Sequence, residues 1–318
     1  MIKKNKLLIH IALLLTTFIT TIFAGYDWTV GQAQQIEFSS LITHGLEYSI
    51  AILLFLSAHE FGHYFAAKYH KVETTLPYYI PVPPILGMLN FGTMGAVIKT
   101  KSPIKNNRAM FDIGVSGPIA GFIVSALILI YGFTHLPTID YLLNIHPDFF
   151  NPDYGKDAIS LEFGNTISYS ILKFLFADPK AFIPPLSEIY HYPYLCVGWF
   201  GLFVTSMNLI PVGQLDGGHI IYSMFGEKKH EAIASISFII ILILGFGSII
   251  SEALNLKFSF GWSGWLLWSL ILYFIIKIKH PPVENFSELD NSRKIVGWIS
   301  IIIMIISFSP SPFILSVL

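Results

Sequence analysis

Apolar residues along the chain are gathered into seven stretches separated by polar and charged segments. A helix that crosses the hydrocarbon core of a bilayer needs about 20 apolar residues, and the stretches are about that long. They cover roughly 7–24, 46–68, 112–132, 194–212, 232–251, 262–279 and 296–316. The pattern predicts an all-α polytopic membrane protein with about seven transmembrane helices.

The segment between the second and third stretches, roughly 69–111, is too polar and too interrupted by proline and glycine to span. Within it, Phe91 to Lys99 has the apolar and β-forming character of a short strand pair broken by Gly92 and Gly95. Non-helical backbone at membrane depth must be buried in protein or line a cavity. We therefore expect a short membrane-associated β-hairpin between helices 2 and 3.

Composition agrees with the membrane class and excludes others. The chain of 318 residues is 53% hydrophobic and only 12% charged, with a mean hydropathy of +0.63. A net charge of −1 offers no electrostatic footprint for nucleic acid. The single cysteine, Cys196, excludes an internal disulfide and a cysteine-cluster metal site. The expected surroundings are the lipid bilayer, and the sequence does not indicate an oligomeric state.

Positive residues predict the orientation. With the amino terminus in the cytoplasm, fifteen of the nineteen lysines and arginines fall in cytoplasmic segments. Residues 133–193 then form a long external loop. Residues 1–24 also resemble a signal peptide, but a retained helix is preferred because the apolar run is long and the cleavage-site pattern is poor. Because no transit peptide is evident, a bacterial cytoplasmic membrane is expected.

One apolar stretch contains a pattern that indicates chemistry. His59, Glu60 and His63 form HExxH inside the run from Ile50 to Ala67. Positions four apart share a helix face, so both imidazoles can bind one cation while Glu60 flanks it. Two imidazoles and an adjacent carboxylate suit Zn²⁺, which makes a water molecule nucleophilic near neutral pH.

The same five-residue pattern arises by chance in many soluble sequences, so its location decides its meaning. Ionisable groups inside a membrane helix cost about 2.5–3.5 kcal/mol each on insertion scales and indicate a functional site by default. With a rise of about 1.5 Å per residue, His59 and His63 fall in the cytoplasmic half of the bilayer. We therefore expect one Zn²⁺ per chain.

A third metal ligand should lie at matching depth on another helix, and Asp216 fits. It follows the expected fourth helix in a stretch broken by Pro211, Gly213, Gly217 and Gly218. An aspartate there could instead cap the next helix, and His219 is a rival third ligand. Asn208 could donate a hydrogen bond to an oxyanion or simply join two helices.

The two motifs together resemble the site-2 protease family of intramembrane zinc metalloproteases, peptidase family M50. Further stretches resemble its plastid and cyanobacterial branch, which lacks a PDZ domain, and the likeness covers roughly 44–318. The stretches are Phe91–Ala96, Arg108–Gly114, Gly117–Gly121 and His280–Pro282. The resemblance implies that His59, His63 and Asp216 bind zinc, that Glu60 is the catalytic base, and that transmembrane proteins are the substrates.

The resulting organisation has three parts. Residues 1–43 give the first helix and an external loop, 44–220 the catalytic core with both motifs, and 221–318 the remaining helices. Two other functions stay open: an ion-coupled transporter that handles a cation with the same side chains, and an inactive membrane scaffold. The transporter predicts flux without proteolysis, and no paired half-repeats of the kind many transporters show are visible.

Overall fold

A computed structural model of the chain describes residues 4–30, 39, 41–83, 90–156, 159–254, 256 and 260–317. Most of the external loop expected after the first helix, residues 31–38 and 40, lies outside that set. The helices are α1 (Lys4–Val30), α2 (Leu46–Tyr69), α3 (Asn107–Thr134), α4 (Ile139–Ile145), α5 (Ile167–Phe176), α6 (Pro193–Asn208), α7 (Asp216–Phe225), α8 (Glu227–Ala253), α9 (Gly264–Ile271) and α10 (Asn291–Ser307). The strands are β1 (Tyr78–Pro81), β2 (Thr93–Val97), β3 (Ile159–Phe163) and β4 (Phe313–Val317).

Four helical segments of the described chain are long and apolar enough to cross a membrane. They are Lys6–Val30, Leu41–Tyr69, Asn107–Thr134 and Glu227–Ser251. The second includes a π-helical turn, Leu41–Gly45, that leads into α2. The other three expected spans correspond to shorter helices, α6, α10 and the run Gly264–Ile276. The chain is thus a membrane protein, and seven spans remain a prediction.

Contacts between residues divide the chain into two compact units. The first unit comprises residues 1–102, 123–154 and 171–201, and the second comprises 103–122, 155–170 and 202–318. Helices α3, α5 and α6 each contribute residues to both units.

In the first unit, β1 and β2 form an antiparallel pair in which Tyr78 lies opposite Val97 and Pro81 lies opposite Thr93. The expectation of a strand pair within Phe91–Lys99 is therefore wrong, because that segment supplies one strand and Tyr78–Pro81 supplies the other. Gly92 and Gly95 both adopt positive φ, +74° and +95°. The glycines bend a single strand and form a bulge, and the chain does not reverse there.

The first unit also holds an aromatic group that connects three of its segments. Phe91, just before β2, packs edge-on against Phe200 of α6 with ring centroids 4.5 Å apart. Trp28 of α1 contacts both rings and donates from Nε1 to the carbonyl oxygen of Asn90 at 2.9 Å. The start of β2 is thereby tied to α1 and α6.

The second unit has a buried apolar core formed by residues of α3, α7, α10 and the segments before them. Its members are Phe111, Val115, Leu209, Ile220, Leu289 and Ile303. At one edge, Arg293 of α10 makes a two-pronged ion pair with Asp112 of α3, from Nε to Oδ1 at 2.8 Å and from Nη2 to Oδ2 at 2.7 Å. Asp290 caps α10 by accepting from the Arg293 backbone N–H.

The carboxyl-terminal stretch differs from the expected helix over 296–316. Helix α10 ends at Ser307, and Phe313–Val317 forms β4, which pairs with β3. Pro310 and Pro312 explain the end of the helix, because proline lacks a backbone N–H and disfavours helical backbone in the residue before it. This second sheet, which includes part of the loop 133–193, was not anticipated from the sequence.

Candidate metal centre

Helix α2 presents two histidines and a glutamate on its buried side. His59, Glu60 and His63 have relative exposures of only 5%, 7% and 7%. The Nε2 atoms of His59 and His63 lie 3.1 Å apart. Both rings therefore direct a nitrogen at the same point, as helix geometry predicts for residues four positions apart.

The separation of those two nitrogens can be compared with the requirements of a metal. In a tetrahedral zinc site with Zn–N distances of 2.0–2.1 Å, two nitrogen ligands lie about 3.3 Å apart. The observed 3.1 Å is close to this value. The two rings fit a zinc ion by geometry as well as by ligand type.

Glu60 is held by the backbone next to β2. Its Oε2 accepts a hydrogen bond from the backbone N–H of Ile98 at 2.9 Å. One turn earlier on α2, Ser57 Oγ and Tyr79 Oη lie 2.6 Å apart, so a second hydrogen bond ties β1 to the same helix. Both strands are therefore attached to the helix that carries the HExxH motif.

These contacts show which edge of β2 lies nearest Glu60. Successive backbone N–H groups in a strand point to opposite edges, so Ala96 shares the edge of Ile98. Thr93 holds the bulge of β2 in place. Its Oγ1 donates a hydrogen bond to the Ile80 carbonyl oxygen at 2.9 Å and accepts one from the Gly95 N–H at 3.0 Å. The edge beside Glu60 thus has a defined geometry.

The other two predicted site residues belong to the second unit. Asn208 is the last residue of α6 and Asp216 is the first residue of α7, and both are half-buried. A Cβ on Gly217 would lie against the Leu209 carbonyl oxygen, and one on Gly218 would lie against that of Gly213. The glycines after Asp216 thus let the 209–213 turn pack directly under the start of α7, which fixes the backbone of Asp216.

The rival third ligand, His219, has a partner within the second unit. Its Nδ1 lies 2.8 Å from Nε2 of His280, and His280 Nδ1 donates to the carbonyl oxygen of Pro281. Because that bond places a proton on His280 Nδ1, the His280 Nε2 is the acceptor and His219 Nδ1 is the donor. His219 is therefore committed to a hydrogen bond through this nitrogen.

Sequence reasoning missed the support of Glu60. The donor from Ile98 is a backbone group, so no residue type signals it. Ser57 did give a signal, because it is a polar residue three positions before Glu60 in an otherwise apolar run. Its partner, Tyr79, lies beyond the helix and is identified only by the fold.

Four helices of the described chain are apolar enough to cross a membrane, and one of them directs two histidine nitrogens at the same point beside a buried glutamate. A model of peptidase family M50 matches residues 47–245, which is more than half of the chain. The chain therefore belongs to peptidase family M50. The match includes both sequence motifs, and it confirms the resemblance stated from them.

Similar proteins have names that agree with this family. The chain is 23% identical over 275 residues to the "Probable zinc metalloprotease EGY2, chloroplastic" of Oryza sativa subsp. indica, covering 86% of this chain and 44% of that protein. It is 24% identical over 265 residues to the "Probable zinc metalloprotease EGY1, chloroplastic" of Arabidopsis thaliana, covering 82% and 41% respectively. The chain spans less than half the length of these curated relatives.

Proposed function

We propose that the chain is a zinc-dependent intramembrane endopeptidase that hydrolyses transmembrane protein substrates near the cytoplasmic side of the bilayer. The observation that carries the proposal is the pair of histidine Nε2 atoms, 3.1 Å apart beside Glu60, on a helix apolar enough to span. Burying three ionisable groups in such a helix costs free energy, and such groups therefore indicate a functional site. Membership of peptidase family M50 supports the same conclusion.

The proposed zinc ligands are His59, His63 and Asp216, with one ion per chain at this site. Two imidazoles and one carboxylate match the three-ligand sets of catalytic zinc sites, which keep a position open for water or substrate. When bound, zinc would supply a Lewis acid that polarises the scissile carbonyl and makes water nucleophilic near neutral pH. Support for Asp216 comes from the fixed backbone at the start of α7 and from the family motif.

Glu60 is proposed as the general base. It would take a proton from the attacking water and pass that proton to the leaving amine. The hydrogen bond from the Ile98 N–H fixes one carboxylate oxygen and so orients the group for this transfer. Asn208 is proposed to donate a hydrogen bond to the oxyanion that forms on the carbonyl. No covalent acyl-enzyme is expected.

The edge of β2 beside Glu60 is proposed to hold the substrate. A substrate helix must unwind before its backbone can be cut, and its freed N–H and C=O groups need partners that lipid does not provide. Pairing with the backbone of Ala96 would give those partners. Because Ile98 N–H already contacts Glu60, a paired segment would lie next to the base.

The proposed setting is a bacterial inner membrane with the amino terminus in the cytoplasm. The supporting observation is the distribution of lysine and arginine, since fifteen of nineteen fall in segments on that side. The names of the similar plant proteins include the word chloroplastic, which states the location of those proteins.

Cleavage by a carboxylate variant tests the proposal. Wild type, Glu60→Gln and Glu47→Gln are purified in detergent and incubated with a single-span membrane substrate. Glu47 lies on the same helix but outside the motif, so its variant should cut like wild type. Glu60→Gln should lose at least about 100-fold in rate, since general acid–base catalysis contributes about 10²–10⁴-fold. Cleavage by Glu60→Gln at the wild-type rate would exclude the assigned base.

A further inference from the structure

A second group of metal-ligating side chains lies in the first unit, in the long segment between α3 and α6. His146 directly follows α4, Glu188 directly precedes the single 3₁₀ turn Ile189–His191, and His191 is the last residue of that turn. His146 and His191 are 45 positions apart in the chain, yet their Nε2 atoms lie 3.0 Å from each other. The fold thus brings two histidines and a carboxylate to one point.

The three potential ligand atoms have the spacing of a metal site. Besides the 3.0 Å between the two Nε2 atoms, Glu188 Oε2 lies 3.6 Å from His191 Nε2 and 3.9 Å from His146 Nε2. Ligands of a tetrahedral zinc ion lie about 3.3 Å apart, given metal–ligand distances of 2.0–2.2 Å. The three separations bracket that value, and all the ligand atoms lie within 4.8 Å of one another.

Outer hydrogen bonds orient these groups as they do in metal sites. His191 Nδ1 lies 2.7 Å from the carbonyl oxygen of Thr29 on α1, so this nitrogen donates and Nε2 carries the lone pair that faces the other ligands. Tyr154 Oη donates to Glu188 Oε1 at 3.2 Å, which leaves Oε2 directed at the histidines. Metal-bound histidines and carboxylates are held by partners of this kind.

The burial of Glu188 and His191 favours a metal site over a simple hydrogen-bond network. Glu188 is 3% exposed and His191 is 2% exposed. Tyr154 and Ser187 make side-chain hydrogen bonds to the carboxylate, but among the described residues Oε2 itself has no partner in hydrogen-bond geometry. A bond between the two histidines would satisfy them but would leave this buried carboxylate oxygen without compensation, which is unfavourable. A cation between the three groups would satisfy all of them.

We propose that His146, Glu188 and His191 bind a divalent transition-metal ion of the zinc type, separately from the HExxH motif. The His146 side chain is 30% exposed, so water can complete the coordination from that side. The ion would join His146 to the Glu188–His191 turn, which the His191–Thr29 bond holds against α1. Closing a loop in this way stabilises the folded state.

This proposal does not rest on the peptidase proposal, and the experiment keeps the two apart. The full chain is prepared as His59→Ala/His63→Ala, which removes the HExxH ligands, and is stripped with chelator. Zinc binding is then measured by equilibrium dialysis, and Co²⁺ is added to read its visible absorption. The double variant should bind one zinc ion and give the intense bands of tetrahedral cobalt.

Two ligand variants and one matched control complete the experiment. In the double-variant background, Glu188→Gln keeps the side-chain shape and His146→Ala changes a partly exposed residue, so one of them reports even where the other fails to fold. Each should weaken zinc binding at least tenfold and remove the cobalt bands. The control is His135→Ala, which changes an exposed histidine just after the end of α3 and should leave both zinc binding and the cobalt bands unchanged. Equal zinc binding with and without these changes, or no zinc bound by the double variant, overturns the proposal.

Discussion

Gly92, the residue before β2, is a position where a single methyl group should destabilise the strand beside Glu60. It has a φ of +74°, and a Cβ there would lie 2.6 Å from both the Thr20 carbonyl oxygen and the Thr21 Cα of α1. Its own carbonyl oxygen accepts from Thr20 Oγ1 at 2.6 Å. Gly95, in the bulge of β2, has a φ of +95° but no atom within 4 Å of an added Cβ. The two glycines form a matched pair.

The expected cost follows from these two differences. A left-handed backbone costs an L-residue about 1–2 kcal/mol, and this term applies to both Gly92→Ala and Gly95→Ala. Overpacking against α1 adds about 1–3 kcal/mol, and this term applies to Gly92→Ala alone. The free energy of unfolding should therefore fall by about 2–5 kcal/mol for Gly92→Ala and by about 1–2 kcal/mol for Gly95→Ala.

The single cysteine supplies the assay. Cys196 is fully buried in α6, and the Phe91–Phe200 contact connects that helix to the residue before Gly92. Labelling by a thiol reagent under native conditions requires the first unit to open, so its rate follows the population of the open form. At tenfold per 1.4 kcal/mol, labelling should rise roughly 30- to 4,000-fold for Gly92→Ala and roughly 5- to 30-fold for Gly95→Ala.

The order of the two variants tests the reasoning. Cys196→Ser serves as a blank that should take up no label. If Gly95→Ala labels as fast as Gly92→Ala or faster, close approach of α1 does not govern this region, and the argument from the Thr20 and Thr21 contacts fails.

Three further predictions concern other contacts. Asp112→Asn removes the charge from the two-pronged bond with Arg293 and should lower the free energy of unfolding by about 1.5–3 kcal/mol; an unchanged melting temperature would show that this pair contributes nothing. Tyr79→Phe removes the hydrogen bond to Ser57, which is worth about 0.5–1.5 kcal/mol, and should slow cleavage several-fold with zinc content unchanged. The control variant Tyr78→Phe should cleave at the wild-type rate. Equal rates in the two variants would argue against a role for this bond. The chelator 1,10-phenanthroline should stop cleavage, and added Zn²⁺ should restore it; activity that persists in the chelator would speak against a metallopeptidase.

The sequence predicted those parts of the fold that depend on local pattern. Apolar length alone located the helices α1, α2, α3 and α8, and the four-residue spacing predicted that His59 and His63 face one point, as their 3.1 Å separation confirms. Family membership also followed from the motifs and is confirmed by the family match. The assignment of Asp216 and Asn208 stays a prediction.

Features that depend on pairing between distant segments could not be predicted. The partner of β2 is Tyr78–Pro81. The sequence did not predict this pairing, because a bulge and a hairpin use the same glycines and only the register of the strands distinguishes them. Strand β4 lies in a stretch apolar enough for a helix, and the deciding factor is its pairing with β3. The bond from Ile98 N–H to Glu60 involves a backbone donor, which no residue type marks.

Zinc content measured together with cleavage tests the central claim most directly. Wild type, Glu60→Gln, His63→Ala and Asp216→Ala are purified side by side, zinc is counted by mass spectrometry, and each is incubated with the single-span substrate. The account predicts that Glu60→Gln keeps the full wild-type zinc content yet does not cut, and that His63→Ala and Asp216→Ala each lose one zinc ion per chain and all cleavage. Full zinc content in His63→Ala and Asp216→Ala, or cleavage by Glu60→Gln, would contradict it.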